Sequence, residues 1–178
     1  KIDLGGIGKG WAVGSLASTL ADEYPEAWGT LSFGGNVATV GTKPDGDYNI
    51  ALRGPSGTEL VGEIRVESGI VAVSGGYERY VDYDGNRYHH IIDPATGYPS
   101  ESDLLSAAVY VSEVTPEAGA LADALSTALF VLGYERAVEL VDSGALDELC
   151  GCEVGLVLIT SDGSITSHGA LRDAFYEY

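Results

Sequence analysis

AGALADALSTALFVL, residues 118–132, is apolar nearly all the way round a helix, and such a helix is buried on most of its sides. Pro116 stands where a first helical turn accepts proline, and Gly133 stands where a C′ glycine closes a helix. The spacing predicts a core helix over 116–132. Inside it lies one carboxylate, Asp123, which burial makes costly unless a partner or a metal ion holds it. Thr127 follows four residues on, one turn along the same face. A carboxylate and a hydroxyl stacked in this way are two hard oxygen donors, suited to Mg²⁺ with water and substrate phosphate completing its shell. The same spacing also fits a polar stripe of Asp123, Ser126 and Thr127 that faces solvent or caps a neighbouring loop.

Outward from this helix, apolar runs and turn signals alternate. Upstream, residues 30–33, 37–40, 48–52, 62–67, 70–74 and 105–111 read as strands punctuated by glycine and Pro-Asp-Gly or Pro-Ser-Gly turns. Residues 77–83 and 87–92 flank Asp84-Gly85-Asn86, a hairpin signal. An earlier helix is expected over 9–24, on the spacing of Val13, Leu16, Ala17 and Leu20, with Pro25 stopping it. Downstream, a helix is expected over 135–142, then a hairpin of 154–160 and 164–167 around Asp162-Gly163, then a short amphipathic tail. Helices lie between groups of strands, so the expected class is α+β with a largely antiparallel sheet, in one domain over 1–178.

The charge narrows the partners. Twenty-seven acidic residues against nine basic ones give a net charge of −18, which argues against nucleic acid or anionic lipid at these surfaces. A pyrophosphate ligand would then need a local cation, from a helix start, a lysine or a metal ion. Cys150 and Cys152 are too few for a zinc site, and a bond between them would close a strained ring. They read as a structural thiol pair near a strand start, with a redox role as the alternative. No run of eighteen apolar residues exists to span a membrane. The chain holds no methionine and begins at Lys1-Ile2-Asp3, inside a motif, and is expected to be part of a longer protein.

Two further constellations carry chemistry. Residues 89–97, HHIIDPATG, place Asp93-Pro94 and Thr96-Gly97 in an Asx-type turn after a strand. His89 and His90 point to opposite faces of that strand, so one of them is a candidate general base. Two surface histidines beside a plain turn fit the pattern as well. Gly5, Gly6, Gly8 and Gly10 around Lys9 form a glycine-rich lead-in to the first helix, where backbone passes close to a ligand and N–H groups face it. The spacing is neither a P-loop nor GxGxxG. Gly34-Gly35-Asn36 and Ser74-Gly75-Gly76 are further ligand-facing turns, or simply tight loops.

Taken in order, DLGGIGKG (3–10), GGN (34–36), SGGYERY (74–80), HIIDPATGYP (90–99) and ADALSTALFVLG (122–133) resemble the ApbE-like family of FAD:protein FMN transferases. The resemblance implies a T-fold-like architecture in which a family N-terminal part, contributing much of the flavin-ring pocket, is missing from this chain. It implies Mg²⁺-dependent transfer of FMN from FAD to a Thr or Ser hydroxyl of an acceptor flavoprotein, with release of AMP. It assigns Asp123, Thr127 and the backbone carbonyl at Gly8 to the metal, and His90 to the base. Gly5, Gly6, Lys9, Gly35, Asn36, Ser74, Gly75, Asp93 and Thr96 are then the candidate FAD-binding residues. It also implies an extracytoplasmic, membrane-anchored lipoprotein whose tether lies in the missing part. Gly14 departs from the family, where a charged residue is common. Two other functions remain open: a Mg²⁺-dependent FAD pyrophosphatase giving FMN and AMP, and a non-catalytic FAD-binding domain.

Overall fold

The computed structural model describes residues 3–77 and 79–178. Lys1, Ile2 and Glu78, from the opening tripeptide and from SGGYERY, lie outside the described residues. In chain order the elements are α1 (Gly8–Glu23), β1 (Gly29–Phe33), β2 (Asn36–Val40), β3 (Tyr48–Arg53), β4 (Leu60–Val66), β5 (Ile70–Gly75), β6 (Tyr80–Tyr83), β7 (Asn86–His89), β8 (Leu104–Val111), α2 (Pro116–Leu132), α3 (Tyr134–Asp142), α4 (Ala145–Cys150), β9 (Val154–Thr160), β10 (Ile165–Gly169) and β11 (Phe175–Glu177).

A six-stranded sheet in the order β1-β2-β5-β8-β9-β10 forms the middle layer, and every pairing in it is antiparallel. This is the α+β architecture that the sequence implies. Its central strand, β8, reads LLSAAVYV without polar alternation because both of its faces are covered. Alternate residues divide between two cores. Ala107, Val109 and Val111 of β8, Ile70 and Ala72 of β5, and Leu156 and Leu158 of β9 pack on the helices. Ala108, Tyr110, Val71 and Val157 face the other way, onto Ile50, Leu52, Ile64 and Val66. Those last residues belong to a separate three-stranded sheet, β11-β4-β3, so the molecule has three layers. The tail residues 175–177, read from sequence only as amphipathic, supply the edge strand of that sheet.

Helix α2 matches its sequence bounds. Thr115 Oγ1 accepts the Ala118 N–H at 3.0 Å, proline occupies the first turn, and Gly133 at φ +83 ends the helix. Helices α1 and α2 cross backbone to backbone. A Cβ on Gly10 would stand 2.0 Å from the Gly119 carbonyl oxygen, and one on Gly14 would stand 2.3 Å from that of Thr115. Gly14 thus lies inside the helix crossing.

Two sequence expectations are corrected and one element is added. The strand expected over 77–83 begins at Tyr80, and the one expected over 87–92 ends at His89. Ile92 makes only an isolated bridge to Pro99 across the Asp93–Gly97 turn. Helix α4 lies in a stretch to which sequence periodicity assigned nothing. Among the described residues no helix is long and apolar enough to cross a membrane.

Candidate functional site

Asp123 is 2% exposed, and Ser126 on the next turn is fully buried, which removes the reading of a solvent-facing stripe. The carboxylate meets the glycine-rich lead-in directly: the Gly10 N–H donates to Asp123 Oδ2 at 2.9 Å. Helix α1 has no side-chain cap of its own at Ile7 and no acidic residue in its first turn. Asp123, 113 positions away in the chain, is therefore the anion at the positive end of α1. The Gly8 N–H is also taken, by the Leu4 carbonyl. The start of α1 is thus partly filled by the protein itself, where the sequence suggested a set of free donors.

Hydroxyl groups gather beside the carboxylate. Ser126 Oγ donates to the Asp123 carbonyl oxygen at 2.9 Å, and Thr127 Oγ1 reaches the same oxygen at 3.3 Å. Ser74, on the helix-facing side of β5, lies 2.8 Å from Ser126 Oγ and 3.1 Å from Thr127 Oγ1. A Cβ built on Gly6 would lie 3.9 Å from Thr127 Oγ1, so the Gly5-Gly6 turn sits over this hydroxyl. Gly8 is the first residue of α1, and its nearest neighbour by the same measure is Leu4. The motifs at 3–10, 74–76 and 122–133 therefore converge on one place.

The GGN motif joins them from β2. Gly34 and Gly35, at φ +54 and +97, make the two-residue turn between β1 and β2, and Lys9 Nζ donates to the Gly34 carbonyl at 3.1 Å. Asn36 is fully buried, and neither its Oδ1 nor its Nδ2 has a hydrogen-bond partner among the described residues. It shares the helix-facing side of β2 with Ala38 and Val40, opposite Ala72, two residues along β5 from Ser74. An orphaned amide is costly, and here it stands on the layer face that carries the site.

His90 and the Asp93–Gly97 turn occupy a second limb. The Asx geometry is present: Asp93 Oδ1 accepts the Ala95 N–H at 2.8 Å, and Thr96 Oγ1 accepts the Tyr98 N–H at 3.2 Å. Both side chains shape the turn. His90 is exposed, and its Nδ1 lies 3.1 Å from the Arg79 carbonyl oxygen. A carbonyl only accepts, so Nδ1 carries a proton, and in the neutral ring Nε2 is the nitrogen able to accept. No hydrogen bond among the described residues links His90 or this turn to Asp123. The limb meets α2 through His89, whose ring packs edge-on against Phe130 at 5.6 Å. Gly75 packs against Tyr77 and the Leu105 carbonyl, at the end of β5 from which this limb leaves.

Outside the site, Cys150 and Cys152 are free thiols packed against the helix-side core. Burial pushes the Cys150 thiol up to about 11, with the neighbouring Cys152 and Asp147 adding to the shift. That fits a structural thiol and opposes a nucleophilic one.

Among the described residues no three His, Cys, Asp or Glu side chains converge as a metal cage. The donors that do converge are one carboxylate, the three hydroxyls of Ser74, Ser126 and Thr127, and backbone. An all-oxygen set with a single charge matches the preference of Mg²⁺ for one or two carboxylates plus water and phosphate, and excludes the soft-ligand metals. The residues present therefore fit Mg²⁺.

Fold and site together define an α+β protein that sets a buried carboxylate against a glycine-rich helix start, with an outward-facing histidine on an adjoining hairpin. The chain belongs to the ApbE family, whose model matches residues 1–149. It is 36% identical over 154 residues to the FAD:protein FMN transferase of Treponema pallidum, which covers 79% of this chain and 40% of that protein. To the FAD:protein FMN transferase of Vibrio cholerae it is 32% identical over 165 residues, 91% of this chain and 46% of that one. Among solved structures, the ApbE protein of Thermotoga maritima is 34% identical with a TM-score of 0.75, over 93% of this chain and 50% of its own. The flavin transferase ApbE of V. cholerae is 28% identical with a TM-score of 0.66, over 98% and 52%. The chain thus spans about half the length of these solved relatives, and less than half that of the curated ones.

Proposed function

We propose that this chain carries the pyrophosphate-binding and metal-binding part of a Mg²⁺-dependent flavin transferase. Its substrate is FAD, its acceptor is a Thr or Ser hydroxyl of a flavoprotein, and its second product is AMP. The observation that carries the reading is Asp123: a buried carboxylate at the glycine-rich start of α1, with the hydroxyls of Thr127 and Ser74 beside it.

Asp123 and Thr127, with a backbone carbonyl assigned to Gly8, would hold the ion, which supplies Lewis-acid polarisation and charge neutralisation at the pyrophosphate. The protein's own groups do the rest. Thr127 and Ser126 donate hydrogen bonds to the Asp123 carbonyl oxygen, which fixes where their lone pairs face. Lys9, held at the Gly34 carbonyl, brings a positive charge to the Gly34-Gly35 turn of an otherwise acidic molecule. Gly5, Gly6, Gly35, Asn36 and Gly75 offer backbone and amide groups, and the Asp93–Gly97 turn offers a stiff edge for the dinucleotide. His90 Nε2 takes the proton of the acceptor hydroxyl, whose oxygen forms a bond to the FMN phosphorus. The bond from that phosphorus to the bridging oxygen breaks, and AMP leaves with the bridging oxygen.

Mass spectrometry of an acceptor domain incubated with the full-length enzyme, FAD and Mg²⁺ tests the proposal. A gain of one FMN supports it, and excess EDTA is expected to abolish that gain. Free FMN and AMP with an unmodified acceptor would instead identify a pyrophosphatase. No turnover of FAD by an enzyme that binds it would identify a binding domain. An extracytoplasmic, membrane-tethered setting is proposed on family likeness. Resistance of the enzyme to protease added to intact spheroplasts would refute that setting.

A further inference from the structure

His89 is the half-buried neighbour of the exposed His90, and its ring is held at every edge. Nε2 lies 3.0 Å from the Ser100 carbonyl oxygen, and the Ile91 N–H donates to Nδ1 at 3.3 Å. A carbonyl can only accept and an amide N–H can only donate. The ring is therefore neutral, with its proton on Nε2. Its edge meets Phe130, three residues beyond Thr127 on α2, with the ring planes at 84°. On the other side a Cβ on Gly76 would stand 2.8 Å from His89 Cδ2, so the absence of a side chain at Gly76 makes room for the ring. One imidazole thus ties together the exit of β5, the loop that leads to Ser100, and the helix that bears Asp123.

Successive residues of a strand point to opposite faces. With His89 fixed inward, His90 is turned outward, where its Nδ1–H meets the Arg79 carbonyl and Nε2 is free to accept. We propose that His89 is a positioning residue: it fixes the face and the tautomer of His90, and sets the hairpin bearing His90 against the helix bearing Asp123 and Thr127. A leucine would fill the same volume but leave the Ser100 carbonyl and the Ile91 N–H without these partners, which is a physical reason for an imidazole at this place. The inference rests on the reading of His90 as the base.

Two variants in the full-length enzyme test it. His89→Phe keeps a ring against Phe130 and removes both hydrogen bonds. His89→Gln keeps a donor for Ser100. His89→Phe is expected to lower kcat for FMN transfer at least about tenfold, with KM for FAD moving less than about twofold. His89→Gln is expected to restore kcat to within about threefold of the parent enzyme. In a His90→Ala background, His89→Phe should cost nothing further, because the two residues act as one unit. Losses that simply multiply overturn the inference, as does a His89→Gln enzyme in which kcat and FAD affinity fall together. If His89→Phe fails to fold, the Gln variant and its kcat-against-KM split still decide.

A readout independent of turnover separates this inference from the functional one. Two-bond ¹H–¹⁵N spectra of histidine-labelled enzyme should show His89 protonated on Nε2 and His90 on Nδ1. In His89→Phe, His90 should lose some or all of that Nδ1–H preference, and in His89→Gln it should keep it. A full Nδ1–H signal from His90 in His89→Phe sinks the inference whether or not FMN is transferred. The expected spectra in an enzyme that transfers nothing would uphold the positioning and refute the base.

Discussion

Asp123→Asn separates the two duties of the central carboxylate. The amide keeps the shape, and its oxygen still accepts from the Gly10 N–H, but the charge is gone. Helix α1 has no other anion in its first turn and no side-chain cap, so the loss falls wholly on this pair. Removing a partly buried charge from a helix start costs about 1–2 kcal/mol. Turning a charge-assisted hydrogen bond into a neutral one costs about 1 kcal/mol. These overlap, and about 2 kcal/mol is the expected sum, a fall in Tm of about 4–8 °C for a chain of this size. Binding of Mg²⁺ acts in the opposite sense, adding about 2.7 kcal/mol when the free ion is at 100 times its Kd. The assay is thermal unfolding of parent and variant after EDTA treatment, then with excess MgCl₂. The parent should gain several degrees with the ion, whereas Asp123→Asn should start lower and gain none. A variant that gains as much as the parent, or a parent that does not respond, would refute the metal assignment while leaving the capping role intact.

Gly10→Ala drives a methyl to 2.0 Å from the Gly119 carbonyl and 2.7 Å from Asp123 Cβ. It should cost about 3 kcal/mol or more in urea unfolding. Gly6→Ala, with Thr127 Oγ1 at 3.9 Å as its nearest contact, should stay within about 1 kcal/mol. Equal losses at the two positions would deny the helix crossing. Cys150, held near 11 by burial, should react with iodoacetamide at pH 8 about 100-fold more slowly than a free thiol, and faster as pH rises toward 11. The stability held in that protonated thiol is fully present below about 9, its value when unfolded, and is lost as pH climbs through 11. Rapid labelling at pH 8 would contradict the burial. His90→Ala should slow FMN transfer by about 10²–10⁴, with FAD affinity changed only a few-fold. Matching losses in both would make His90 a binding residue.

The helical half of this fold was legible because its signals are local. Pro116, the 3.6-residue pattern and Gly133 bound α2 to the residue, and Thr115 adds the cap. The β-strands were found from runs of β-branched residues, but their division into two sheets was not. Val71 and Ala72 look alike in sequence, and only the layers on either side distinguish them. Helix α4 is six residues long, too short to show a period, and β11 is held by pairing with β4 across more than a hundred positions. At the site, the need of Asp123 for a partner was readable and the identity of that partner was not. Gly10 read as one glycine of a helix entry, and it is the N–H that donates to the carboxylate. The family motif pointed to His90 rather than His89, but the different carbonyls that the two rings face, Ser100 and Arg79, are something no spacing reveals. Gly14 looked like a lost charge, and only the Thr115 carbonyl beside it gives the reason.

The hydrogen bond from Gly10 to Asp123 joins residues on either side of β1 to β8, so it closes a loop of 113 positions. Contacts of such long range carry a larger loop-closure cost than local ones and slow folding. On the proposed reading, a nascent polypeptide that has emerged only as far as β8 has the lead-in but lacks the carboxylate that would hold the ion. Ion capture would then report that α2 has docked on α1, while α3, α4 and β9 to β11 still lie further along the chain.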